Sequence, residues 1–263
     1  MTKVLVLGAS GMLGRYVYSY LKTLPNLKVT GYSRTEFDPL QDAIYQLKVA
    51  DFNVVINCIG VIKQVTGASQ TETIKVNSIF PHELAEACYA AGRQLIHITT
   101  DCVYSGKYGF YTEPSPHDAL DVYGKSKSLG ESPFAMNIRT SIIGEELHTK
   151  RSLIEWVRSN NNKQVSGYTN HTWNGVTCLE LAKFIGNRIN SNHYWEGTRH
   201  IFNTTPTTKL ELVGLIAKHF EINLDIVPTE TPTAVYRTLS TIHTTEIITS
   251  IDEQLTELAQ YKL

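Results

Sequence analysis

The sequence lacks the features that mark disulfide-rich, metal-binding and nucleic-acid-binding proteins. It has only four cysteines, Cys58, Cys88, Cys102 and Cys178, and no CxxC pair, which argues against a disulfide framework or a zinc site and favours reduced thiols in a cytoplasm. The nine histidines show no ligand spacing such as HExxH, so we assign no residue to a metal. Lysine and arginine form no cluster, and the formal net charge of −1 gives no reason to expect nucleic acid or an anionic membrane as a partner.

The sequence also has no apolar run long enough to span a bilayer. It enters a predicted strand by residue 3 without a charged and apolar leader, so we expect neither a membrane helix nor a signal peptide. A length of 263 residues lies near the limit at which one hydrophobic core stops growing. We therefore expect one main domain with a smaller lobe.

What the sequence does have is a glycine motif directly after its first apolar run. Residues 4–7 are all aliphatic, which is typical of a strand covered on both faces in a parallel sheet. Gly8, Gly11 and Gly14 follow, and a helix is predicted from Met12 to about Leu21. This spacing allows a tight turn and a close approach of a phosphate to the helix N-terminus, which favours a dinucleotide. The alternative is a strand-to-helix turn without a ligand.

The first half continues with alternating strand and helix patterns. This order predicts an α/β fold with a doubly wound parallel sheet of the Rossmann type, with ligands over the carboxyl ends of the strands. Helices are predicted from a capping box at Asp38–Gln41 to about residue 50, and over 71–91 with Gly92 at the end. Further strands are predicted at 27–31, 54–57, 95–98 and 134–139.

The second half has a looser pattern. Helices are predicted over 152–159 and 177–189, and capping boxes at Thr208–Glu211 and Ser250–Glu253 begin two more. Short apolar runs at 201–202 and 222–227 are further candidate elements. We predict a dinucleotide-binding domain over 1–145, and over 146–263 the last sheet elements interleaved with a small α/β lobe that binds substrate.

Three residues form a candidate catalytic set. Tyr123 and Lys127 are four residues apart and therefore share a helix face. A phenol is a poor acid or base near neutrality, and a nearby ammonium is expected to lower its pKa toward the range of general acid–base catalysis. Thr100, at the end of a predicted strand, is placed to hydrogen-bond a substrate carbonyl. Each residue alone has a plain structural explanation, but the ordered combination with the glycine turn predicts hydride chemistry at a carbonyl.

With these motifs the sequence resembles the extended short-chain dehydrogenases/reductases, and within them the dTDP-4-dehydrorhamnose reductase family, from Lys3 to Gly144. The resemblance implies that Tyr123 protonates the C4 oxygen while NADPH delivers hydride, with Thr100 and Lys127 completing the catalytic set. It also implies that Lys127 binds the nicotinamide ribose. The segments that carry the resemblance are Val76-Asn77, Leu95 to Asp101, Val103 to Gly106, Tyr123 to Glu131 and Ile138 to Thr140.

The cofactor candidates come from the glycine motif and from this resemblance. Arg34 follows the second predicted strand, where an NAD site usually has an acid, so it suits the 2′-phosphate of NADPH. In the alternative, Arg34 is a solvated loop residue and Glu36 or Asp38 binds the ribose. The cofactor-binding candidates are Gly8, Ser10, Gly11, Met12, Leu13, Ser33, Arg34, Asp38, Cys58, Ile59, Gly60, Asn77, Thr99, Tyr123 and Lys127.

The substrate candidates are spread over both halves. Trp173 and Asn174 suit a nucleotide base, and Arg237 suits a diphosphate, although a core tryptophan and a surface arginine are the plain alternatives. Ile142-Ile143 and the segment 167–175 depart from the family pattern, and they lie where the substrate is expected. The full set of substrate candidates is Val103, Tyr104, Trp173, Asn174 and Arg237.

The cysteine usage and the lack of a leader predict a cytoplasmic protein, and the resemblance implies an NADPH-dependent reductase of a nucleotide-activated 4-keto-6-deoxysugar that works in surface polysaccharide biosynthesis. Members of the family often form homodimers. A nucleotide-sugar epimerase of the same superfamily is one alternative. A dehydratase is disfavoured, because those enzymes have Asp-Glu where this chain has Asp101-Cys102. A third alternative is a non-catalytic binding subunit, similar to the regulatory subunit of methionine adenosyltransferase.

Overall fold

A parallel sheet of six strands forms the centre of the protein. The computed structural model describes residues 1–62, 69–147, 150–247 and 249–263. The strands lie in the order β2-β1-β3-β4-β5-β10, and all five pairings are parallel. The order reverses between β1 and β3, which is where a doubly wound sheet opens a crevice for ligands. Their bounds are β1 Thr2–Leu7, β2 Leu27–Tyr32, β3 Val54–Asn57, β4 Gln94–Thr100, β5 Met136–Thr140 and β10 Gly197–His200.

Helices cover both faces of this sheet. Val4 and Val6 of β1 are buried in the core on the side of α1 and α6, whereas Leu5 and Leu7 are buried on the opposite side with α3. This two-sided burial explains why the first strand has no polar face. The α-helices are α1 Met12–Lys22, α2 Gln70–Ile74, α3 Phe80–Ala90, α4 Val122–Leu129, α5 Leu153–Ser159, α6 Cys178–Asn190, α7 Lys209–His219 and α8 Ile251–Gln260.

The predicted helix over 38–50 is wrong. Two short 3₁₀ helices, Ile44–Leu47 and Val49–Asp51, lie there instead. Asp38 does not cap a helix, because its carboxylate accepts the Leu40 amide at 3.0 Å in a local turn. Lys48 adopts a left-handed conformation, with φ 45°, and this interrupts any continuous helix.

The helix predicted over 71–91 is present, but it contains an irregular turn. It begins at Ser69, whose side chain forms a capping box with Glu72, and it ends before Gly92 at φ 65°. Between α2 and α3, residues Lys75–Ile79 form a π-helical turn. Such single turns widen a helix and are frequent at functional sites. Here the widened turn contains Asn77.

The second half begins its helices where the sequence predicted. The side chains of Ser152, Thr177, Thr208 and Ser250 cap α5, α6, α7 and α8. The apolar run at 201–202 directly follows β10, which ends at His200, and is not part of a strand. The run at 222–227 lies mostly in β12. Small sheets of two or three strands comprise β6 Ile142–Ile143, β7 Lys163–Tyr168, β8 His171–Trp173, β9 Val176–Thr177, β11 Thr207–Thr208, β12 Leu224–Thr229 and β13 Val235–Arg237.

None of the described helices combines the length and apolar character needed to cross a bilayer.

Candidate active site

The glycine turn after β1 leaves the start of α1 open. Gly8 has φ 75°, and a Cβ at Gly14 would lie 2.0 Å from the Gly8 carbonyl oxygen, so the helix packs directly on the turn. Gly11 is the N-cap residue and gives no side-chain hydrogen bond, and the neighbouring Ser10 is exposed. The backbone N–H groups that begin at Met12 and Leu13 are therefore available to an anion, and the pyrophosphate of a dinucleotide fits this cradle.

The loop after β3 faces the glycine turn. A Cβ at Gly8 would lie 3.2 Å from the backbone of Cys58 and Ile59, which shows how closely the two loops approach. The Asn57 carboxamide oxygen accepts the Ile59 amide at 3.0 Å and fixes the direction in which the loop leaves the strand. Gly60 lies beside the Lys127 amine, with 4.0 Å from a built Cβ to Nζ.

Asn77, in the π-helical turn, holds this loop to α4. Its side-chain oxygen accepts the Val61 amide, and its side-chain nitrogen donates to the Val61 carbonyl, both at 2.9 Å. The same nitrogen donates to the Ser126 hydroxyl at 3.1 Å. Asn77 thus connects the loop after β3 with the helix that contains Tyr123 and Lys127.

The structure brings Thr100, Tyr123 and Lys127 together at the carboxyl end of β4. Thr100 Oγ1 donates to Asp101 Oδ1 at 3.2 Å and accepts the Cys102 amide at 3.1 Å. The Tyr123 side chain is hydrogen-bonded to Thr100. The Lys127 amine donates to the Ile98 carbonyl at 2.7 Å and is buried. Both Tyr123 and Lys127 lie on α4, as their spacing predicted.

The position of α4 against β4 depends on a glycine. A Cβ at Gly124 would lie 2.3 Å from the Cys102 carbonyl oxygen, so only glycine permits this approach. The helix begins at Asp121, whose carboxylate accepts the Gly124 amide at 2.9 Å. These two contacts fix the position of α4 and therefore the position of Tyr123 relative to Thr100.

The expected lowering of the Tyr123 pKa is not found. Burial raises the pKa of Tyr123 above its ordinary value, and hydrogen bonding with Thr100 opposes this only in part. Burial also lowers the pKa of Lys127, to about 8, because the amine lies in a desolvated position. The Tyr123 pKa is not lowered because the Lys127 amine points at the Ile98 carbonyl. The desolvation of the Tyr123 hydroxyl therefore outweighs the attraction between the ammonium and a phenolate.

A buried polar cluster lies beneath the catalytic set. Glu131 forms a two-pronged ion pair with Arg139, at 2.9 and 2.5 Å, and also accepts the Thr99 hydroxyl at 2.9 Å. Arg139 donates in addition to the Tyr104 hydroxyl and to His200 Nε2. The Thr99 side chain is therefore buried in this cluster by its bond to Glu131.

Val103 and Tyr104 are also part of the core. Their side chains are 0% and 1% exposed, and the Tyr104 ring stacks on Tyr111 with 4.2 Å between ring centres. Burial raises the pKa of Tyr104 to about 12. The structure does not place either side chain on the cavity of the cleft.

A cavity of about 470 Å³ lies next to the catalytic set. Trp173 lines it and donates its indole N–H to the Ser141 hydroxyl at 2.7 Å. Asn174 does not line it, because its side chain is 2% exposed and pairs with the Leu239 backbone. The cavity walls comprise Met12, Ile62, Asp101, Cys102, Ser141, Ile142, Ile143, Glu146, Arg151, Ser152, Leu153, His171, Thr172, Trp173, Lys209, Val235 and Arg237.

Four charged residues that sequence analysis did not select line this cavity with Arg237, namely Asp101, Glu146, Arg151 and Lys209. Asp101 is buried directly after Thr100, and Lys209 is the first residue of α7. The Arg237 guanidinium donates to Cys102 Sγ at 3.1 Å. The strand-end pattern pointed to Asp101 through its neighbour Thr100, but no local signal marks Lys209, because only the tertiary fold brings α7 to the cavity.

The end of β2 presents charges of both signs. Ser33 donates its amide and its hydroxyl to the Glu36 carboxylate, and these bonds lower the pKa of Glu36 to about 2. The Arg34 side chain is 80% exposed and lies 3.8 Å from the Asp38 carboxylate. The guanidinium is therefore accessible to a ligand in the adjacent crevice.

Comparison with known proteins identifies relatives. The model of a family described as the RmlD substrate binding domain matches residues 1–256. A dTDP-4-dehydrorhamnose reductase of Mycobacterium tuberculosis is 30% identical over 153 residues, which are 53% of this chain and 49% of the relative. The methionine adenosyltransferase 2 subunit beta of Xenopus laevis is 31% identical over 144 residues, 51% of this chain and 43% of the relative. The matches thus span about half the length of these curated relatives.

Two solved structures have the same fold. A dTDP-4-dehydrorhamnose reductase from Bacillus anthracis in complex with NADP superimposes with a TM-score of 0.81 at 20% identity, over 98% of both chains. One from Clostridium acetobutylicum gives 0.79 at 24% identity, also over 98% of both chains. At these identities the likeness establishes the architecture, a Rossmann-type α/β fold.

Proposed function

The chain belongs to the RmlD substrate-binding-domain family, and from that premise we propose that it is an NADPH-dependent reductase of a nucleotide-activated 4-keto-6-deoxysugar. The observation that carries the proposal is that Thr100, Tyr123 and Lys127 meet at the carboxyl end of β4, next to Asp101 and Cys102, which line the 470 Å³ cavity. This arrangement suits a nicotinamide on one side and a ketone on the other. Relatives named as dTDP-4-dehydrorhamnose reductases, which this chain matches over about half of their length, support the same substrate class.

The chemistry assigned to this chain is proton transfer and orientation. A nicotinamide bound there would supply the hydride for C4 of the sugar. Thr100 turns its hydroxyl from Asp101 to the ketone oxygen and orients it, and Tyr123 gives its phenolic proton to that oxygen. Lys127 then stabilises the phenolate that remains, and its lowered pKa lets it exchange protons near neutrality. The ketone gains one hydride and one proton and becomes an alcohol.

We propose that Arg34 gives the site its preference for NADPH over NADH. The exposed Arg34 guanidinium is suited to a 2′-phosphate. The Glu36 carboxylate is already bonded to the Ser33 amide and hydroxyl. Arg34→Ala is expected to raise the KM for NADPH about 10- to 100-fold while that for NADH stays constant, as one charge-assisted contact is worth roughly 1.5–3 kcal/mol. Glu36→Gln is the control, and a larger effect on NADH in that variant supports the alternative in which the acid binds the ribose.

We propose further that the small sheets of the second half form the substrate lobe, and that the product enters surface polysaccharide. A relative named as a Bacillus subtilis spore coat polysaccharide biosynthesis protein, 31% identical over 157 residues, supports this role. The boundary near residue 145 stays a prediction, since β6 before it pairs with β9 after it. Trp173 and Arg237, which line the cavity, remain the substrate candidates that the lobe offers.

The first test is NADPH oxidation with dTDP-, UDP-, GDP- and CDP-linked 4-keto-6-deoxysugars. Reduction of one of them, with loss of activity in Tyr123→Phe, supports the reductase. Tightly held NAD in the purified protein and isomerisation without net oxidation support an epimerase. Dinucleotide binding without turnover of any sugar, combined with stable binding to a partner enzyme, supports a binding subunit.

A further inference from the structure

Three polar residues lie side by side across the middle of the parallel sheet. Asn57 of β3, His97 of β4 and Asn137 of β5 are register partners, and all three side chains are buried. Strands covered on both faces normally carry apolar residues at such positions. Burial of polar groups is costly unless hydrogen bonds compensate for it, so the bonds of His97 show what this row does.

The Asn57 carboxamide can take one orientation only. The Ile59 amide can only donate, and it lies 3.0 Å from an Asn57 side-chain atom, which must therefore be the oxygen. The side-chain nitrogen of Asn57 then faces His97, with 3.1 Å between Nδ2 and Nδ1. Since an amide nitrogen only donates, Nδ1 of His97 must accept and carries no proton.

The proton of a neutral His97 therefore lies on Nε2. Within the described part of the chain, this atom and the Asn137 side-chain oxygen are both buried without a hydrogen-bond partner. The Asn137 side-chain nitrogen donates to the Ser132 carbonyl at 2.7 Å, which fixes the direction of the oxygen. A proton on Nε2 makes the two register partners a donor and an acceptor, whereas a proton on Nδ1 would leave two acceptors.

The imidazole of His97 is held in its uncharged form. Burial and the nearby Lys127 amine lower the pKa of His97 well below its ordinary value. An imidazolium would carry N–H groups at both ring positions, so its Nδ1–H would meet the Asn57 donor. The neutral Nε2–H tautomer is the form that satisfies Asn57.

Asn57 in turn fixes the start of the loop after β3, which faces the glycine turn. Its oxygen holds the Ile59 amide, whose nitrogen would lie 3.2 Å from a Cβ at Gly8. Asn77 holds the other end of the loop through Val61. Rotation of the Asn57 carboxamide would replace the acceptor at Ile59 by a donor, so the loop would lose its inner anchor.

We propose that His97 is a positioning residue for the dinucleotide, because its Nε2–H tautomer fixes the Asn57 carboxamide and through it the loop that faces the glycine turn. This rests on the proposed function, since it assumes that the loop contacts a bound dinucleotide. His97 touches neither cofactor nor substrate in this role. It acts on cofactor affinity, and the proton transfer from Tyr123 does not depend on it.

Nitrogen NMR tests the tautomer without any ligand. In protein labelled with nitrogen-15 histidine, the His97 signals are assigned by their absence from the spectrum of His97→Asn. We expect an unprotonated Nδ1 and a protonated Nε2 at neutral pH. Asn57→Asp replaces the donor by a carboxylate oxygen and is expected to move the proton to Nδ1. A proton on Nδ1 in the wild type overturns the proposal.

Variants of His97 test the effect on the cofactor. His97→Asn puts a carboxamide oxygen at the place of Nδ1, whereas His97→Gln puts its amide near the place of Nε2. We expect His97→Gln to weaken NADPH binding about tenfold in a fluorescence titration, as for one buried amide left without its partner. In turnover the loss is expected in KM for NADPH and not in kcat. His97→Asn is expected to retain the wild-type affinity, as is the control His219→Gln, since His219 pairs with Asp252 at the end of α7.

The outcomes separate this role from the function on which it rests. Equal NADPH affinity of wild type and His97→Gln overturns the role of His97 and leaves the reductase. Equal weakening in His97→Asn and His97→Gln also overturns it, because the loss then follows packing and not the acceptor at Nδ1. A wild type that binds no NADPH rejects the proposed function together with this role, even where the tautomer is as expected.

Discussion

The proposed cofactor side and the proposed substrate side of the cleft are built from different parts of the chain. Backbone atoms form the cofactor side. The glycine turn and the loop after β3 approach within van der Waals contact, and α1 begins without a side-chain cap. Side chains form the substrate side, and they come from positions as distant in sequence as Asp101, Trp173, Lys209 and Arg237. Backbone geometry depends on a local motif, whereas the charged wall depends on the complete fold.

The largest expected effect on activity is at Tyr123, which lies between the proposed cofactor and substrate sides. Tyr123→Phe removes the proton that the ketone oxygen receives, and kcat is expected to fall about 10²- to 10⁴-fold. NADPH affinity, measured by fluorescence titration, is expected to stay unchanged, because the glycine turn is intact. Retained turnover in this variant would place the acid elsewhere, and Tyr108→Phe, an exposed tyrosine outside the cavity, is the control.

A change on the backbone side is expected to have the next largest effect. Gly14→Ala places a Cβ 2.0 Å from the Gly8 carbonyl oxygen, so the turn must shift and kcat/KM with NADPH is expected to fall about 10²-fold. Gly214→Ala in α7 is the matched control, because its Cβ would meet its nearest atom at 3.9 Å. If the two variants bind NADPH equally well, the backbone does not shape the cofactor side.

A lower pH is expected to destabilise the protein through His200, which belongs to the buried polar cluster around Glu131 and Arg139. Burial and the neighbouring Arg139 lower the pKa of His200 to about 4, compared with an ordinary value of 6.5. The unfolded chain therefore binds more protons between these two values, so stability is complete above pH 6.5 and decreases as the pH falls toward 4. The loss is about 3 kcal/mol for a shift of this size. Urea unfolding of wild type and His200→Asn at pH 7 and pH 5 checks this, and an unchanged pH slope in the variant would contradict it.

The smallest effect is expected at a helix start far from the cleft. Ser250→Ala removes the hydroxyl that accepts the Glu253 amide at 3.3 Å, and the free energy of unfolding is expected to fall by about 1 kcal/mol. Ser250→Asp retains an acceptor and is expected to restore the loss. Activity is expected to remain constant in both variants. A change in kcat there would show that the two sides of the cleft are coupled to α8.

Local signals predicted the fold and half of the site. Glycine spacing placed the turn after β1, and Ser152, Thr177, Thr208 and Ser250 were correctly recognised as helix starts, because capping involves neighbours along the chain. The Asp38–Gln41 pattern failed for a similar local reason, since Asp38 binds the Leu40 amide instead of one three residues on.

The rest depended on packing. The Tyr123 pKa followed burial and the direction of the Lys127 amine, neither of which spacing reveals. Lys209 directly follows a correctly predicted cap, yet nothing in its neighbours shows that it faces Asp101 across a cavity. Charges from separate elements become a site only when tertiary structure brings them together.

The place of β10 in the main sheet has a consequence for folding during synthesis. Gly197–His200 pairs with Met136–Arg139, so the ribosome must add about sixty further residues before β5 acquires its outer neighbour. Until then β5 is an open sheet edge, which can pair with another chain. Contacts this distant in sequence also slow folding. The first 145 residues contain the glycine turn and the catalytic set, but the newly made segment remains prone to aggregation until the rest of the chain follows.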